Sequence, residues 1–159
     1  MPEEFECQST DLYELANELA DAGASFRFTA RGWSMYPLVR EGDVLQVVPV
    51  SFSELGIGDV VFYRSGDRLL AHRVIGFVFE ADQVRIRARG DGFLQEDPPV
   101  SEPDVVGRVE AIHRPWRGRE RIIPLDRGIR HRLGILVARS TLAHRGARWA
   151  GRALYRLIG

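Results

Sequence analysis

From residue 25 to residue 112 the apolar side chains recur with a period of two in short runs, and this alternation constrains the fold more than any other feature of the chain. Phe26 and Phe28 alternate with Ser25, Arg27 and Thr29, and further runs follow at 44–48, 60–63, 69–79, 84–88 and 105–112. Successive side chains of a strand point to opposite faces, so a period of two gives each strand one face for a core. The runs are rich in β-branched and aromatic residues and are separated by Gly, Pro, Ser or Asp, the punctuation of short strands and tight turns. The pattern predicts a mainly β, antiparallel domain, with Arg64-Ser65-Gly66-Asp67-Arg68 as the loop of a hairpin.

Two other segments flank this domain. Residues 11–22 read as a short helix: Leu12, Leu15, Ala16 and Leu19 fall on one face, Asp11 and Glu14 suit a capping box, and Gly23 supplies the stop. Pro115, Gly118 and Pro124 read as a linker, followed by a helical tail. The expected organisation is therefore a helix in 1–24, a β domain over 25–113, and a linker with a basic amphipathic tail over 114–159. A chain of 159 residues supports one well-cored domain.

The formal net charge of zero hides an asymmetry. Residues 1–112 hold ten arginines against twenty acidic residues, whereas 113–159 hold twelve arginines against Glu120 and Asp126 alone. In the tail Arg145, Arg148, Arg152 and Arg156 share one helical face, and Ala147, Ala150, Leu154, Leu157 and Ile158 fall largely on another. Such a face suits an anionic surface, and peripheral contact with a membrane is the expected partner. Nucleic acid is not expected, because no aromatic-interleaved patch or DNA-reading motif accompanies the charge. No apolar run is long enough to span a bilayer, and the acidic Met1-Pro2-Glu3-Glu4 start does not resemble a secretory signal. Cys7 is the single cysteine, so neither a disulfide framework nor a multi-cysteine metal site is expected, and a cytoplasmic, peripherally membrane-associated protein is the reading.

Reactive chemistry concentrates at Gly32-Trp33-Ser34-Met35-Tyr36-Pro37, a glycine-led turn presenting one serine. A serine hydroxyl attacks only with the help of a base, an orienting group and an oxyanion site. The chain contains no lysine, and arginine does not deprotonate, so a lysine base is excluded. His72 shares a strand face with Leu70 and Val74, an apolar setting that favours the neutral imidazole a general base requires. A core histidine satisfied by a backbone group has the same pattern. His113, His131 and His144 are assigned to solvated surface beside the basic tail. Asp97 precedes Pro98, which restricts its backbone and gives its carboxylate a fixed direction suited to orienting an imidazole. Gly-Asp pairs at 42–43, 58–59, 66–67 and 90–91 are read first as turn chemistry, and none forms a phosphate-binding loop.

The ordered set Gly32-x-Ser34-Met35-x-Pro37, Arg40-Glu41-Gly42-Asp43, Gly58-Asp59-Val60-Val61-Phe62, His72-Arg73-Val74-Ile75, Gly90-Asp91 with Asp97 beyond, and Asp104-Val105-Val106-Gly107-Arg108 resembles type I signal peptidases. The resemblance spans roughly residues 25–112 and is nearest the archaeal and endoplasmic-reticulum branch, which has histidine where the bacterial branch has lysine. It implies a signal-peptidase/repressor-protease-like β fold, with Ser34 as nucleophile, His72 as general base, Asp97 as orienting acid and Asp91 as a supporting carboxylate. It also implies that Gly32, Met35 and Pro37 shape the substrate and oxyanion side of the turn, with no metal or organic cofactor. The substrate implied is a preprotein or precursor peptide, bound extended along a sheet edge and carrying small residues before the cleavage point. Where the family usually has asparagine after this Gly-Asp, the chain has Gly92-Phe93. Two other readings stay open: a self-cleaving repressor-type protease, with Ala22-Gly23 as the dipeptide cut, and an inactive peptide-binding module on the same fold.

Overall fold

A computed structural model describes residues 9–80, 82–125 and 136. Cys7, His131, His144 and the tail face of Arg145, Arg148, Arg152 and Arg156 lie outside the described residues.

The helix α1 runs Ser9–Asp21, so it begins before Asp11. Gly23, at φ 70°, ends it. The Ala24 amide bonds the Leu19 carbonyl at 2.8 Å and the Gly23 amide bonds Ala20 at 2.9 Å, the paired bonds of a glycine C-cap. The packing face is rotated from the expected leucine face. Ala16 is buried with Tyr13 and Ala20 against the domain, while Leu15 is 52% exposed. Tyr13 fixes the docking: its hydroxyl donates to the Pro103 carbonyl at 3.3 Å, and the Arg64 guanidinium lies 4.4 Å from its ring centre.

Seven strands follow: β1 (Phe26–Thr29), β2 (Val44–Val48), β3 (Val60–Ser65), β4 (Arg68–Glu80), β5 (Gln83–Arg89), β6 (Val105–Trp116) and β7 (Arg119–Pro124). They form one antiparallel sheet in the order β1-β2-β6-β3-β4-β5, with β7 added on β6. The long strand β6 pairs with β2 over Arg108–His113, so its other edge holds β3 at Val105–Arg108 and β7 at Ala111–Trp116 end to end. The β3–β4 hairpin closes through Gly66-Asp67, with Gly66 at φ 64°, so Tyr63 faces Leu70 and Val61 faces His72.

The sheet extends past residue 113, where a linker was expected. Pro115, Gly118 and Pro124 belong to the β6–β7 hairpin instead. Its turn, Arg117-Gly118, has both residues at positive φ, 47° and 73°, the geometry of a two-residue turn normally signalled by Asn-Gly. Proline is tolerated because Pro124 lies on the edge strand β7 and Pro115 lies past His113, where the pairing of β6 with β2 ends. His113, expected on solvated surface, is buried on β6. Its Nε2 lies 3.0 Å from Gln46 Oε1, and Glu120 Oε2 makes an ion-pair contact with Nδ1 at 3.0 Å.

Alternation divides the apolar residues between two cores. Val60, Phe62, Leu45, Val47, Val106, Val109 and Ile112 pack with Met35 and Val39 under α1. Val61, Tyr63, Val74, Ile86, Ala88 and Val100 form the second. Each fully buried large apolar side chain contributes about 1.5–3 kcal/mol, and a one-residue slip of β3 would exchange Val60 and Phe62 with Val61 and Tyr63 between the two cores.

Candidate active site

Strand β4 carries the centre of the site, because β5 pairs with it only as far as Arg73. Below that point its edge receives the serine turn and the long connection 90–104. That connection is tied down by backbone bonds. The Asp97 amide bonds the Ala88 carbonyl at 2.9 Å, and Val100 exchanges two 2.8 Å bonds with Ile86. Glu96 is held by a two-pronged bond from Arg87 at 2.9 and 2.6 Å, which keeps its carboxyl below the ordinary range. Asp97 therefore projects from a chain segment fixed on both sides.

His72 and Arg73 point to opposite faces of β4, and both are 3% exposed. On one face Asp97 Oδ2 lies 2.6 Å from His72 Nδ1. An ionised carboxylate only accepts, so in the neutral ring it is Nδ1 that carries the proton and Nε2 that presents a lone pair. Nε2 is buried and has no hydrogen-bond partner among the described residues. The imidazole and the Phe93 ring stand perpendicular, with ring centres 6.4 Å apart. On the other face Arg73 donates to both oxygens of Asp91, at 2.7 and 2.5 Å, and to the Gly58 carbonyl at 2.8 Å. Asp91 is thus brought to Arg73 and not to His72. Its contribution is structural: its own amide donates to Met35 Sδ at 3.4 Å, joining the connection to the serine turn.

The serine turn itself is set by Gly32 at φ 80° and by bonds from Tyr36 to the Trp33 carbonyl and from Val39 to the Met35 carbonyl, at 3.1 and 3.0 Å. Met35 is buried in the first core and anchors the turn, while Pro37 follows a cis peptide bond. The Gly92 amide donates to the Ser34 carbonyl at 2.8 Å. A Cβ at Gly90 would stand 2.5 Å from that same carbonyl oxygen, and one at Gly92 would stand 3.0 Å from the Trp33 oxygen. Glycine at 90 and 92 is what lets the connection lie against the turn. Ser34 and Gly32 line a small cleft of about 60 Å³ with Leu69, Leu70 and Ala71, the three residues before His72. Ser34 thus lies beside the β4 residues that precede His72, and no hydrogen bond joins Ser34 to His72.

Sequence reasoning missed Tyr63 and Arg73. The Tyr63 hydroxyl donates to Asp97 Oδ2 at 2.7 Å, the same oxygen His72 faces. Register would have found it, since the Gly66-Asp67 turn places Tyr63 and His72 on one face of adjacent strands. Asp43 and Asp59, read as turn residues, accept from the Arg40 and Gly56 amides at 2.8 Å as turn chemistry requires. Asp43 also binds Arg114, counted with the basic tail, through bonds of 2.9 and 2.6 Å. Among the described residues no three His, Cys, Asp or Glu side chains converge to hold a metal, and no helix is long and apolar enough to cross a membrane. No family model, curated protein or solved structure matches the chain.

Proposed function

We propose that this protein is a serine endopeptidase of the signal-peptidase type, acting on a preprotein or precursor peptide. The observation that carries the reading is the His72 ring: Nδ1 is engaged by Asp97 at 2.6 Å, and Nε2 is left buried and unpartnered beside the strand residues that line the Ser34 cleft. In the reaction His72 Nε2 takes the Ser34 Oγ proton as Oγ bonds the scissile carbonyl carbon. The tetrahedral oxyanion is met by backbone amides of the serine turn. The imidazolium then protonates the leaving amine, the peptide C–N bond breaks, and water activated by His72 releases the acyl group. Asp97 holds the ring in the working tautomer throughout, and Met35 holds the turn. A basic tail would bring the domain to an anionic membrane surface and so to substrates there.

A second reading, a peptide-binding module without turnover, is favoured by the open Ser34–His72 contact. Apo sites often close this bond only with substrate, which is why the peptidase stands first. Comparing the peptides and protein amino termini of cells carrying the active protein with those carrying Ser34→Ala separates the two. New amino termini that depend on Ser34 are expected, and identical profiles contradict the peptidase.

A further inference from the structure

We propose that Tyr63 is a positioning residue of this site: its hydroxyl and the His72 ring share one oxygen of Asp97, and the hydroxyl sets how strongly that oxygen holds the imidazole. The inference rests on the peptidase reading for its consequence and on geometry for its substance.

Tyr63 Oη, Asp97 Oδ2 and His72 Nδ1 form a close triangle, with Oη to Oδ2 2.7 Å, Nδ1 to Oδ2 2.6 Å and Oη to Nδ1 3.4 Å. The phenol has one proton. Placed on Asp97, it leaves Nδ1–H free to donate to the same oxygen and Nε2 free to accept. Placed on Nδ1, it would force the other tautomer, with the proton on Nε2, and the ring could not take the serine proton. The 2.7 Å bond to the carboxylate is the shorter and charge-assisted one, so the productive arrangement prevails.

The phenol cannot turn away, because Tyr63 is 1% exposed and packed among Val61, Val74, Ile86, Ala88 and Val100. Burial first, and then Asp97, push its ionisation far above the ordinary tyrosine value, so it remains a donor. Two donors on one oxygen compete. Each draws charge from it, and the phenol thereby tempers the pull of Asp97 on the imidazolium. Of the neighbouring groups, Phe93 against the ring is apolar, and the charged ones lie with Arg73, which is ion-paired with Asp91 on the far face of β4 and has the buried Arg89 as its register partner on β5.

Two substitutions at Tyr63 in the full chain have opposite predicted effects. Tyr63→Phe removes the donor at nearly constant volume, so Asp97 holds the imidazolium more tightly and the His72 ring titrates higher by about half a pH unit. The acid limb of Ser34 reaction with a fluorophosphonate moves up equally, slowing labelling on that limb about threefold. Replacing Tyr63 by 3-fluorotyrosine, a stronger donor of the same shape, moves both downward. The His72 titration is read by NMR of the ring nitrogens, assigned with His72→Ala. A structural role alone lowers the melting temperature and leaves both pH readings in place. Unmoved His72 titration in both variants, or movement in the same direction, overturns the proposal. If Ser34 of the wild type fails to label at any pH, the peptidase reading falls, while the NMR titration still decides whether Tyr63 governs His72.

Discussion

His72 and Arg73 are consecutive on β4, are equally buried, and each meets an aspartate from the same connection, yet the two pairs do different things. Arg73 spends its donors on Asp91 and Gly58, and Asp91 has both oxygens engaged. This pair is closed and rivets the connection to the sheet. His72 uses one nitrogen on Asp97 and keeps the other unpartnered among the described residues. What separates the two pairs is therefore the nitrogen that His72 keeps unpartnered among the described residues.

The largest expected effect breaks the closed pair. Asp91→Ala strands a buried guanidinium and should cost about 3–5 kcal/mol in denaturant unfolding. Asp97→Ala leaves a neutral phenol and imidazole and should cost about 1–3 kcal/mol. Equal losses would erase the distinction between the faces. Next is Gly90→Ala, whose new Cβ meets the Ser34 carbonyl oxygen at 2.5 Å. Backbone must move, at a cost of about 1–3 kcal/mol, and Ser34 labelling should fall with it.

Smaller effects follow from ionisation. The Tyr63 phenol is held protonated by burial and by Asp97, so its contribution to stability is complete below its unfolded value of 10.0 and declines as pH rises beyond it. Alkaline unfolding should therefore be less steep in Tyr63→Phe. Glu96 runs the opposite way: Arg87 lowers its pKa, so its stabilisation is present above the unfolded value of 4.5 and disappears on acidification. Because that ion pair is solvent-exposed, Glu96→Gln should change stability by less than about 1 kcal/mol, measured as the acid limb of a melting profile.

Much of this arrangement was legible in the residues. The period of two located six of the seven strands, because each has a face committed to one of the two cores. The seventh was hidden by Pro115, Gly118 and Pro124, which break a central strand and are harmless at an edge. The helix lies where it was expected, but Leu15 misled the reading of its packing face, since periodicity identifies an apolar stripe and not the docking made by Tyr13. Ser34, His72 and Asp97 carried chemical signals of their own in the turn, the strand face and the proline. Tyr63 and Arg73 did not. Tyr63 meets Asp97 across 34 positions of chain, and only the hairpin register and the path of the connection bring such residues together. The same reason hid the burial of His113, which depends on β2 and β7 flanking β6.

We propose that the open nitrogen of His72 activates Ser34. It is tested most directly by measuring the rate at which a fluorophosphonate acylates Ser34 in the wild type and in His72→Ala, across about pH 5 to about pH 8. Labelling should rise with pH in the wild type and fall by about a hundredfold or more in His72→Ala. Equal labelling in the two proteins, or a rate independent of pH, would contradict it.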